Sequence, residues 1–330
     1  MTYSIAIRTL GTAGDRFKQE LQSIWAQSVQ PERVVVYIAE GYKRPDFTVG
    51  QEEYVWVKKG MVAQRALPYN EISSDYVLLL DDDMWMASDV MEQMLLEAEA
   101  HGVDCIGADT YLLYASTFRS KIYNFVTNLI VPHSRTCPWA FRILRNGSFS
   151  YNCQPNPGYY DSQYIAGGLQ LWRREVLTGI RLEDELWLDR NVFSYSDDML
   201  ETYKLHVNGY RLGILFGLDV VHLDAGSGSL PYRATSKQFY IREASQLCLW
   251  WRMIYEPSSG IETILCVLSF ALKWIWLLLV HIVCGVATFN LRMPYYYFLG
   301  SVNAWRFVHS QEYKALKGFV LLHKCPHNKK

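Results

Sequence analysis

The sequence predicts an α/β protein with a mostly parallel sheet covered by helices on both faces, followed by a C-terminal helical segment. Strand and helix signals alternate through the first hundred residues, which is the pattern that builds a parallel sheet. Residues 77–80 form a continuous apolar run, as in a strand buried on both faces. Residues 263–291 are apolar and long enough to cross a bilayer, which takes about 20 residues.

Each element follows from a local pattern. Strands are predicted at "YSIAIRTL", "ERVVVYIA", "EYVWV" and residues 77–80. Helices are predicted at residues 14–28, 61–72 and 91–100, and the first of these repeats apolar residues at the spacing of one helix face. In "FRILRNGSFSYN", Asn146 and Gly147 stand between alternating arms and predict a hairpin with a two-residue turn.

Composition narrows the class of protein. The 330 residues hold 32 Lys plus Arg against 33 Asp plus Glu, so no global positive field indicates nucleic acid as a partner. Aromatic residues make up 15% of the chain, which suits a sugar-stacking surface and a membrane interface equally well. The seven cysteines are scattered without a CxxC pair, and the N-terminus enters a strand directly. We therefore expect a reduced, cytoplasmic protein with neither a disulfide framework nor a zinc site.

Three consecutive aspartates, Asp81, Asp82 and Asp83, follow the buried run at 77–80. Adjacent carboxylates repel one another and lose hydration on burial, so the triplet is either a solvated turn or the site of a cation. In open α/β sheets, ligands bind beyond the carboxyl ends of the strands, where this triplet stands. The buried strand before it and the apolar residues 84–86 after it favour the cation site.

Several stretches in order carry a resemblance to a known family. They are "SIAIRTLG…FKQELQSIWAQSVQPERVVVYIAEG", "GMVAQRALPYNEISSDYVLLLDDDMWM", "YIAGGLQLWRREVL", "SDDMLETYKLHVNGYRLGI" and "VVHLDAGSGS…FYIREASQL". Over most of residues 3–250 the chain resembles family 2 glycosyltransferases of the GT-A fold, whose bacterial members often add rhamnose or galactofuranose to cell-surface glycans. The resemblance implies a nucleotide-sugar-binding half at 1–110 and an acceptor-binding, catalytic half at 111–250, ahead of a membrane-associated helical tail at 251–330.

The same resemblance implies a divalent metal, Mg²⁺ or Mn²⁺, that neutralises the diphosphate of the leaving nucleotide. In the family's DxD pattern Asp83 ligates the metal and Asp81 faces the ribose or the metal. Asp82 is the spare residue on the nucleotide-sugar side, unless the register is shifted by one. His222, in "DVVHLDAGSGS", matches a histidine that related enzymes use as a metal ligand. A structural histidine is the alternative there.

Asp197 and Asp198 are the candidate catalytic residues. An inverting transfer needs a base that takes the proton of the acceptor hydroxyl, and a carboxylate within hydrogen-bonding reach can do so. By resemblance to the family's Glu-Asp motif, Asp198 is the base and Asp197 matches the Glu, with the assignment between these neighbours left open. The pair also opens a predicted helix that ends near residues 208–209, so Ser196 or Asp197 is also a candidate N-cap, a role compatible with catalysis.

The resemblance assigns further residues to the nucleotide sugar: Thr9, Glu40, Arg65, Arg233 and Arg242. Glu40 stands where the family usually has Asp, and its longer side chain departs from the pattern. Arg242 matches the family's Tyr-x-x-Arg and would neutralise the diphosphate, with Arg233 as a second candidate. The alternatives are an exposed helix charge for Arg65 and a surface ion pair for Arg242.

The apolar run near the C-terminus contains Lys273 and His281, and a charge near mid-bilayer is costly. Residues 292–330 hold seven Lys plus Arg against one acidic residue, which favours the cytoplasmic side, where the catalytic part lies. A single crossing would separate the two. We therefore expect an interfacial or re-entrant hairpin through residues 263–310, resting on anionic lipid at the cytoplasmic face of the bacterial inner membrane. A buried core helix is the alternative.

Together these features predict an inverting, metal-dependent glycosyltransferase that moves a sugar from a nucleotide-sugar donor to a glycan or lipid-linked acceptor in cell-surface polysaccharide synthesis. A haloacid-dehalogenase-type phosphotransferase is disfavoured, because its motif wants Thr or Val where Trp85 stands and usually lies on the first strand. A non-catalytic scaffold that binds a nucleotide or glycan within an assembly complex is the remaining alternative.

Overall fold

The computed structural model describes residues 1–110, 126, 138–152, 155–190, 196–223 and 236–321 of the chain. The strands are β1 Tyr3–Thr9, β2 Val34–Ala39, β3 Glu53–Val57, β4 Tyr76–Asp81, β5 Met84–Met86, β6 Cys105–Ala108, β7 Phe141–Ile143, β8 Phe149–Tyr151, β9 Gly158–Ser162, β10 Leu169–Arg173, β11 Leu212–Phe216 and β12 Val220–His222. The helices are α1 Asp15–Trp25, α2 Val90–His101, α3 Arg174–Gly179, α4 Trp187–Arg190, α5 Asp197–Val207, α6 Ser236–Trp250, α7 Ile261–Ala287, α8 Arg292–Val308 and α9 Gln311–Lys314. A π-helical turn, Trp251–Tyr255, continues α6.

Eight strands form one sheet in the order β3-β2-β1-β4-β10-β6-β11-β9. The strands β3, β2, β1 and β4 are parallel, and β6 and β11 are parallel to each other. The strand β10 runs antiparallel between the two groups, and β9 is an antiparallel edge strand. The predicted mostly parallel sheet is confirmed.

Helices cover both faces of this sheet, as predicted. Alternate residues of β1 show the division: Ile5 and Ile7 face a core shared with α1 and α2, whereas Ala6 faces a second core shared with α3, α5 and α6. The strand β4 is buried along its whole apolar length because it lies between these two cores. Asp81, at its carboxyl end, is the residue where β4 becomes accessible to solvent.

Two short antiparallel pairs lie beside the main sheet. The pair β5–β12 sets His222 opposite Met84. The hairpin β7–β8 is present where the sequence predicted it, but its turn is longer than two residues, because the Leu144 N–H still donates to the Ser148 carbonyl. The third residue of the turn, Gly147, has φ 71° and closes the hairpin in a conformation that favours glycine.

The helix predicted at residues 61–72 is wrong. This segment is a series of turns, and the carboxylate of Asp189 accepts the backbone N–H groups of Val62 (3.1 Å) and Ala63 (2.7 Å). Pro68 also disfavours helical backbone at the residue before it. The segment is therefore held in turns by a carboxylate of α4 that is distant in the sequence.

The C-terminal segment forms an antiparallel helical hairpin of α7 and α8. Trp274 of α7 donates a hydrogen bond to Ser301 of α8, and His281 stacks on Tyr297 with ring centroids 4.6 Å apart. By length and composition α7 is able to cross a membrane, with a mean hydropathy of 2.2 over a window of which 22% is buried. Because five of its 27 residues are buried, the alternative of a buried core helix does not describe α7.

The segments that flank the helical hairpin, the π-helical turn before α7 and the chain after α9, are joined to the α/β part by buried polar contacts. Arg252 and Lys204 both pair with Glu185, at 2.9 and 3.0 Å. Arg252 also donates to the carbonyl of Lys317 at 2.7 Å, and Asn208 donates to the carbonyl of Phe319 at 3.3 Å. The segment after α8 therefore packs into the second core of the α/β part.

Candidate active site

The carboxyl ends of β1 and β4 bring Arg8 and Asp81 together. The parallel register sets these two residues side by side, and the Arg8 guanidinium donates to both carboxylate oxygens of Asp81. Arg8 also donates to Asp197 Oδ2 of α5 at 3.3 Å and to the carbonyl of Met61 at 3.1 Å. One guanidinium therefore links the end of the sheet to the start of the helix that carries the candidate base.

Asp81 is held by a second arginine. Arg65, 3% exposed, lies 3.5 Å from Asp81 and 2.8 Å from the buried carboxylate of Glu201. Burial opposes ionisation of Asp81, but the charges of Arg8 and Arg65 outweigh it and lower its pKa well below the ordinary range. Burial raises the pKa of Glu201 to about 7 despite Arg65. The alternative of an exposed helix charge for Arg65 is wrong, since this residue is buried in a turn.

Asp82 turns toward the carboxyl end of β1. The hydroxyl of Thr9 donates to Asp82 Oδ2 and accepts the backbone N–H of Gly11 at 2.7 Å. Below the triplet, buried Glu20 of α1 accepts the N–H of Met84 at 3.2 Å. Burial raises the pKa of Glu20 well above its usual value, and the nearby aspartate charges act in the same direction.

Asp83 meets His222, which is far away in the sequence. The β5–β12 pairing brings His222 Nε2 to 3.0 Å from Asp83 Oδ1. The backbone carbonyl of Asp83 accepts the N–H of Leu223 at 2.8 Å, which continues the same pairing. Asp83 and His222 therefore lie together and form one corner of the site.

This corner fits a divalent cation in part. Asp83 Oδ1 is buried, and within the described residues no donor makes a well-oriented hydrogen bond to it, although His222 Nε2 lies within 3.0 Å. Two such atoms are a pair of ligands, and Mg²⁺ commonly completes its shell with substrate phosphates and water. Asp81 is occupied by arginines, and no group of three His, Cys, Asp or Glu suited to a metal occurs in the described parts of the chain. Asp83 and His222 are thus the residues that would hold the ion.

Asp198 lies at the start of α5 and accepts three hydrogen bonds. The Tyr164 hydroxyl (3.0 Å) and the Gly167 N–H (2.7 Å) reach Oδ2, and the Met199 N–H (2.9 Å) reaches Oδ1. Burial, followed by the negative charge of Asp197, raises the pKa of Asp198 above its ordinary range. The N-cap residue Ser196 makes no side-chain cap bond, whereas Asp198 accepts a backbone N–H of the first turn of α5 and so also stabilises this helix end.

A cleft of about 210 Å³ joins these groups. Its lining comprises Arg8, Asp81, Met84, Thr110, Gly167, Asp197, Asp198 and His222. A Cβ on Gly167 would lie 3.2 Å from the Arg65 guanidinium and 3.4 Å from Asp198, so glycine lets the backbone N–H approach that carboxylate. The cleft is therefore polar, carries both charges and opens beside the candidate base.

Other candidates lie apart from the cleft or outside the described residues. Glu40 is exposed just beyond β2, and Arg242 is exposed on α6; neither is among the described residues that line the cleft. Arg233 lies outside the described residues. Their roles stay predictions, as do the roles of the aspartates, Thr9 and His222.

Sequence reasoning missed residues that the fold brings to the site: Arg8, Glu20, Tyr164 and Glu201. Arg8 carried a signal, because it is a charged residue in an otherwise apolar strand. Tyr164 stood in "YIAGG" without a chemical role. Glu201 and Glu20 look like ordinary helix residues in the sequence, and only their burial reveals them.

No family model matches the chain, and no curated protein matches it. Among solved structures it is similar to S. aureus TarS, with 11% identity over 83% of this chain and 43% of that chain and a TM-score of 0.47. It is also similar to GalNAc-T7 with UDP, GalNAc and Mn²⁺ (12% identity, 76% of this chain, 50% of that chain, TM-score 0.48). A third is the mannosyltransferase PcManGT from Pyrobaculum calidifontis in complex with GDP-Man and Mn²⁺ (12%, 92% and 86%, TM-score 0.44). At TM-scores this low, these similarities carry no argument about function.

Proposed function

We propose that this chain is an inverting, metal-dependent glycosyltransferase of the GT-A type that transfers a sugar from a nucleotide-sugar donor. The observation that carries the proposal is that Asp198, with a raised pKa, lines the same cleft as Asp81 and His222. A general base and a site for a charged leaving group are the two parts that this chemistry needs.

Asp198 is the base in this reaction. Its carboxylate accepts the proton of the acceptor hydroxyl while the hydroxyl oxygen bonds to the anomeric carbon of the donor sugar. The bond from that carbon to the diphosphate oxygen breaks on the opposite side, so the configuration inverts and the nucleoside diphosphate leaves with the electron pair. The hydrogen bonds from Tyr164 and Gly167 fix Oδ2, which leaves the carboxylate oriented for this transfer.

The leaving diphosphate needs positive charge. A divalent ion bound by Asp83 and His222 would supply it as a Lewis acid. Arg8 is a second cation in the cleft, and Arg65 behind it keeps Asp81 ionised. On the nucleotide side, Thr9 and Asp82 are linked at the carboxyl end of β1 and are suited to hydrogen-bond a ribose.

The finer assignments complete the proposal. The donor sugar is of the rhamnosyl or galactofuranosyl kind, by resemblance to the family motifs, and Glu40, Arg233 and Arg242 contribute to donor binding. The acceptor is a lipid-linked glycan of a cell-surface polysaccharide. The exposed apolar surface of α7 and the basic C-terminal segment support a position at the cytoplasmic face of the membrane, on anionic lipid.

The test is a thermal-shift series on the purified full chain with UDP-, dTDP- and GDP-sugars, each with Mn²⁺ and with EDTA. A ligand that binds the folded state raises the melting temperature as it saturates the site. We expect one nucleotide class to raise it, and EDTA to abolish the rise. A folded sample that responds to no nucleotide sugar would refute donor binding, and a rise that survives EDTA would refute the metal requirement.

A non-catalytic scaffold is the second candidate, and one observation favours it. Asp81 is neutralised by Arg8 and Arg65, so the described cleft presents fewer free carboxylates than the triplet suggests. A scaffold would show the same thermal shift without turnover. Release of free nucleoside diphosphate from the donor that gives the shift, measured with and without added lipid extract, separates the two: product formation excludes the scaffold.

A further inference from the structure

A second cavity lies between α6, its π-helical extension and the α7–α8 hairpin. Its volume is about 580 Å³, within the range of roughly 300–1,000 Å³ typical of ligand pockets. The wall is mostly aromatic: Trp250 stacks on Phe270 at 4.1 Å between centroids, and Trp251 meets Trp305 at 5.6 Å. We call this cavity the aromatic groove.

Two indole N–H groups in the wall of the groove already have protein hydrogen-bond partners and need no water. The indole N–H of Trp250 donates to the carbonyl of Arg145 at 2.8 Å, and that of Trp274 donates to Ser301 at 2.7 Å. Among the described residues that line the groove, Arg306 is the one charged side chain, and it is exposed. The groove therefore offers an apolar interior and a single cation at its rim.

In the helical hairpin around the groove, polar side chains of α7 face the protein interior and apolar side chains face outward. Lys273 points inward, where it donates to the carbonyl of Asn146 at 3.1 Å and faces Glu243, and His281 is buried against Tyr297. The exposed side of α7 carries apolar residues, among them Ile264, Leu268, Leu272, Ile275, Leu279 and Val283. Lys273 and His281, the two polar residues of the apolar run, thus lie inside the protein. The outer surface of α7 next to the groove is apolar and suited to contact with lipid hydrocarbon.

A continuous set of contacts joins the groove to the candidate base. Trp250 contacts the β7–β8 hairpin, where a Cβ on Gly147 would lie 3.1 Å from the Trp250 Cβ. In the same hairpin, the rings of Phe141 and Phe149 pack on Tyr164 with centroids 5.3 and 5.5 Å away. The hydroxyl of Tyr164 then donates to Asp198. The hairpin is therefore shared between the groove and the active site.

We propose that the aromatic groove binds the hydrocarbon chain of the lipid-linked glycan acceptor, with the phosphate that joins lipid to glycan at Arg306. The inference rests on the proposed glycosyl transfer and names its acceptor subsite. The acceptor lipid is favoured over bulk phospholipid because the groove shares the hairpin with the base and because one cation matches one phosphate.

The probe is radiolabelled farnesyl phosphate, a single isoprenoid chain with one phosphate, and the full chain is held in phosphatidylcholine nanodiscs. We expect saturable binding that Ala271→Phe, which fills the groove, weakens at least tenfold. Leu272→Phe is the matched control: Leu272 is the next residue, 67% exposed and outside the groove, and binding should be unchanged. Because Arg306 is exposed, Arg306→Gln leaves the fold intact and should remove the preference for farnesyl phosphate over farnesol.

Equal binding in the wild type and Ala271→Phe would overturn the proposal. Displacement of the probe by phosphatidylglycerol at the same concentration as unlabelled farnesyl phosphate would also overturn it, because bulk lipid would then be the occupant. The thermal shift with the nucleotide sugar is measured on the same samples. It should persist in Ala271→Phe, and its absence in the wild type would count against glycosyl transfer while the groove result stood by itself.

Discussion

Asp198 carries the sharpest prediction at the scale of single residues. Asp198→Asn keeps the shape and the hydrogen bonds to Tyr164 and Gly167 but cannot accept a proton at ordinary pH. We expect turnover to fall by about 10²–10⁴-fold, the usual contribution of a general base, with donor binding retained in the thermal-shift assay. Asp46→Asn, an exposed aspartate, is the matched control. Normal turnover in Asp198→Asn would show that Asp198 is not the general base.

Tyr164 predicts a change in pH dependence. The hydrogen bond from its hydroxyl lowers the pKa of Asp198, so Tyr164→Phe should raise that pKa further. Since the base must be deprotonated, activity falls as pH drops through the pKa of Asp198. The acid limb of kcat/KM should therefore move to higher pH in the variant.

Tyr159→Phe serves as the control for this profile, because the Tyr159 hydroxyl donates to Asp161, an aspartate outside the described cleft lining, at 2.7 Å. Its acid limb should coincide with that of the wild type. An unmoved limb in Tyr164→Phe, with activity retained, would mean that Asp198 does not set the profile.

Site residues could be predicted from the sequence where a reactive residue type directly follows an apolar strand. The aspartate triplet follows a buried strand, and His222 ends another, so both stood out. Arg8 and Glu201 did not, because their roles depend on partners 73 and 136 residues away, Asp81 and Arg65. Strand register and burial create these pairs, and a single sequence shows neither.

Among the elements, the strands and helices whose apolar residues recur at the spacing set by burial could be predicted. Strands buried on both faces and the amphipathic α1 follow from local composition. The segment at 61–72 could not be predicted, because Asp189 of the distant α4 accepts two of its backbone N–H groups and holds it in turns. The position of the hairpin turn was predicted correctly, but its length was not. The turn has three residues, not two, and the third, Gly147, closes it.

The hairpin gives a prediction about stability. Gly147→Ala puts a Cβ at φ 71° and 3.1 Å from the Trp250 Cβ. A left-handed conformation costs an L-residue about 1–2 kcal/mol, so the free energy of unfolding should fall by at least that much, as measured by denaturant titration. Gly179→Ala is the control, because nothing lies within 4 Å of its added Cβ. Equal stability of the two variants would mean that the hairpin is not held against Trp250.

At the scale of the whole molecule, the α7–α8 hairpin and the α/β part are bound together. Lys273 of α7 donates to the carbonyl of Asn146 at 3.1 Å. Just ahead of α7, Arg252 forms a buried ion cluster with Glu185 and Lys204 of the α/β part. Such clusters contribute little net stability against apolar packing, but removing one member is costly. The hairpin is thus held in a fixed position relative to the cleft, so a surface that contacts a membrane would also orient the active site.

Membrane binding is the prediction that belongs to this scale. We expect the full chain to float with phosphatidylglycerol vesicles, and salt to weaken the binding because the basic C-terminal segment contributes to it. Leu279→Glu places a charge on the exposed face of α7, where Leu279 is 51% exposed. A charge at the bilayer centre costs about 2.5–3.5 kcal/mol, and an interfacial site costs less, so binding should weaken at least tenfold.

Leu96→Glu is the matched control for vesicle binding. Leu96 is 59% exposed on α2, in the α/β part, so the same substitution there should leave flotation unchanged. If both variants float like the wild type, the apolar face of α7 does not contact lipid, and a protein partner must cover it. If only Leu279→Glu is lost from the vesicles while its thermal shift with the nucleotide sugar persists, membrane contact and donor binding are separable functions of one rigid chain.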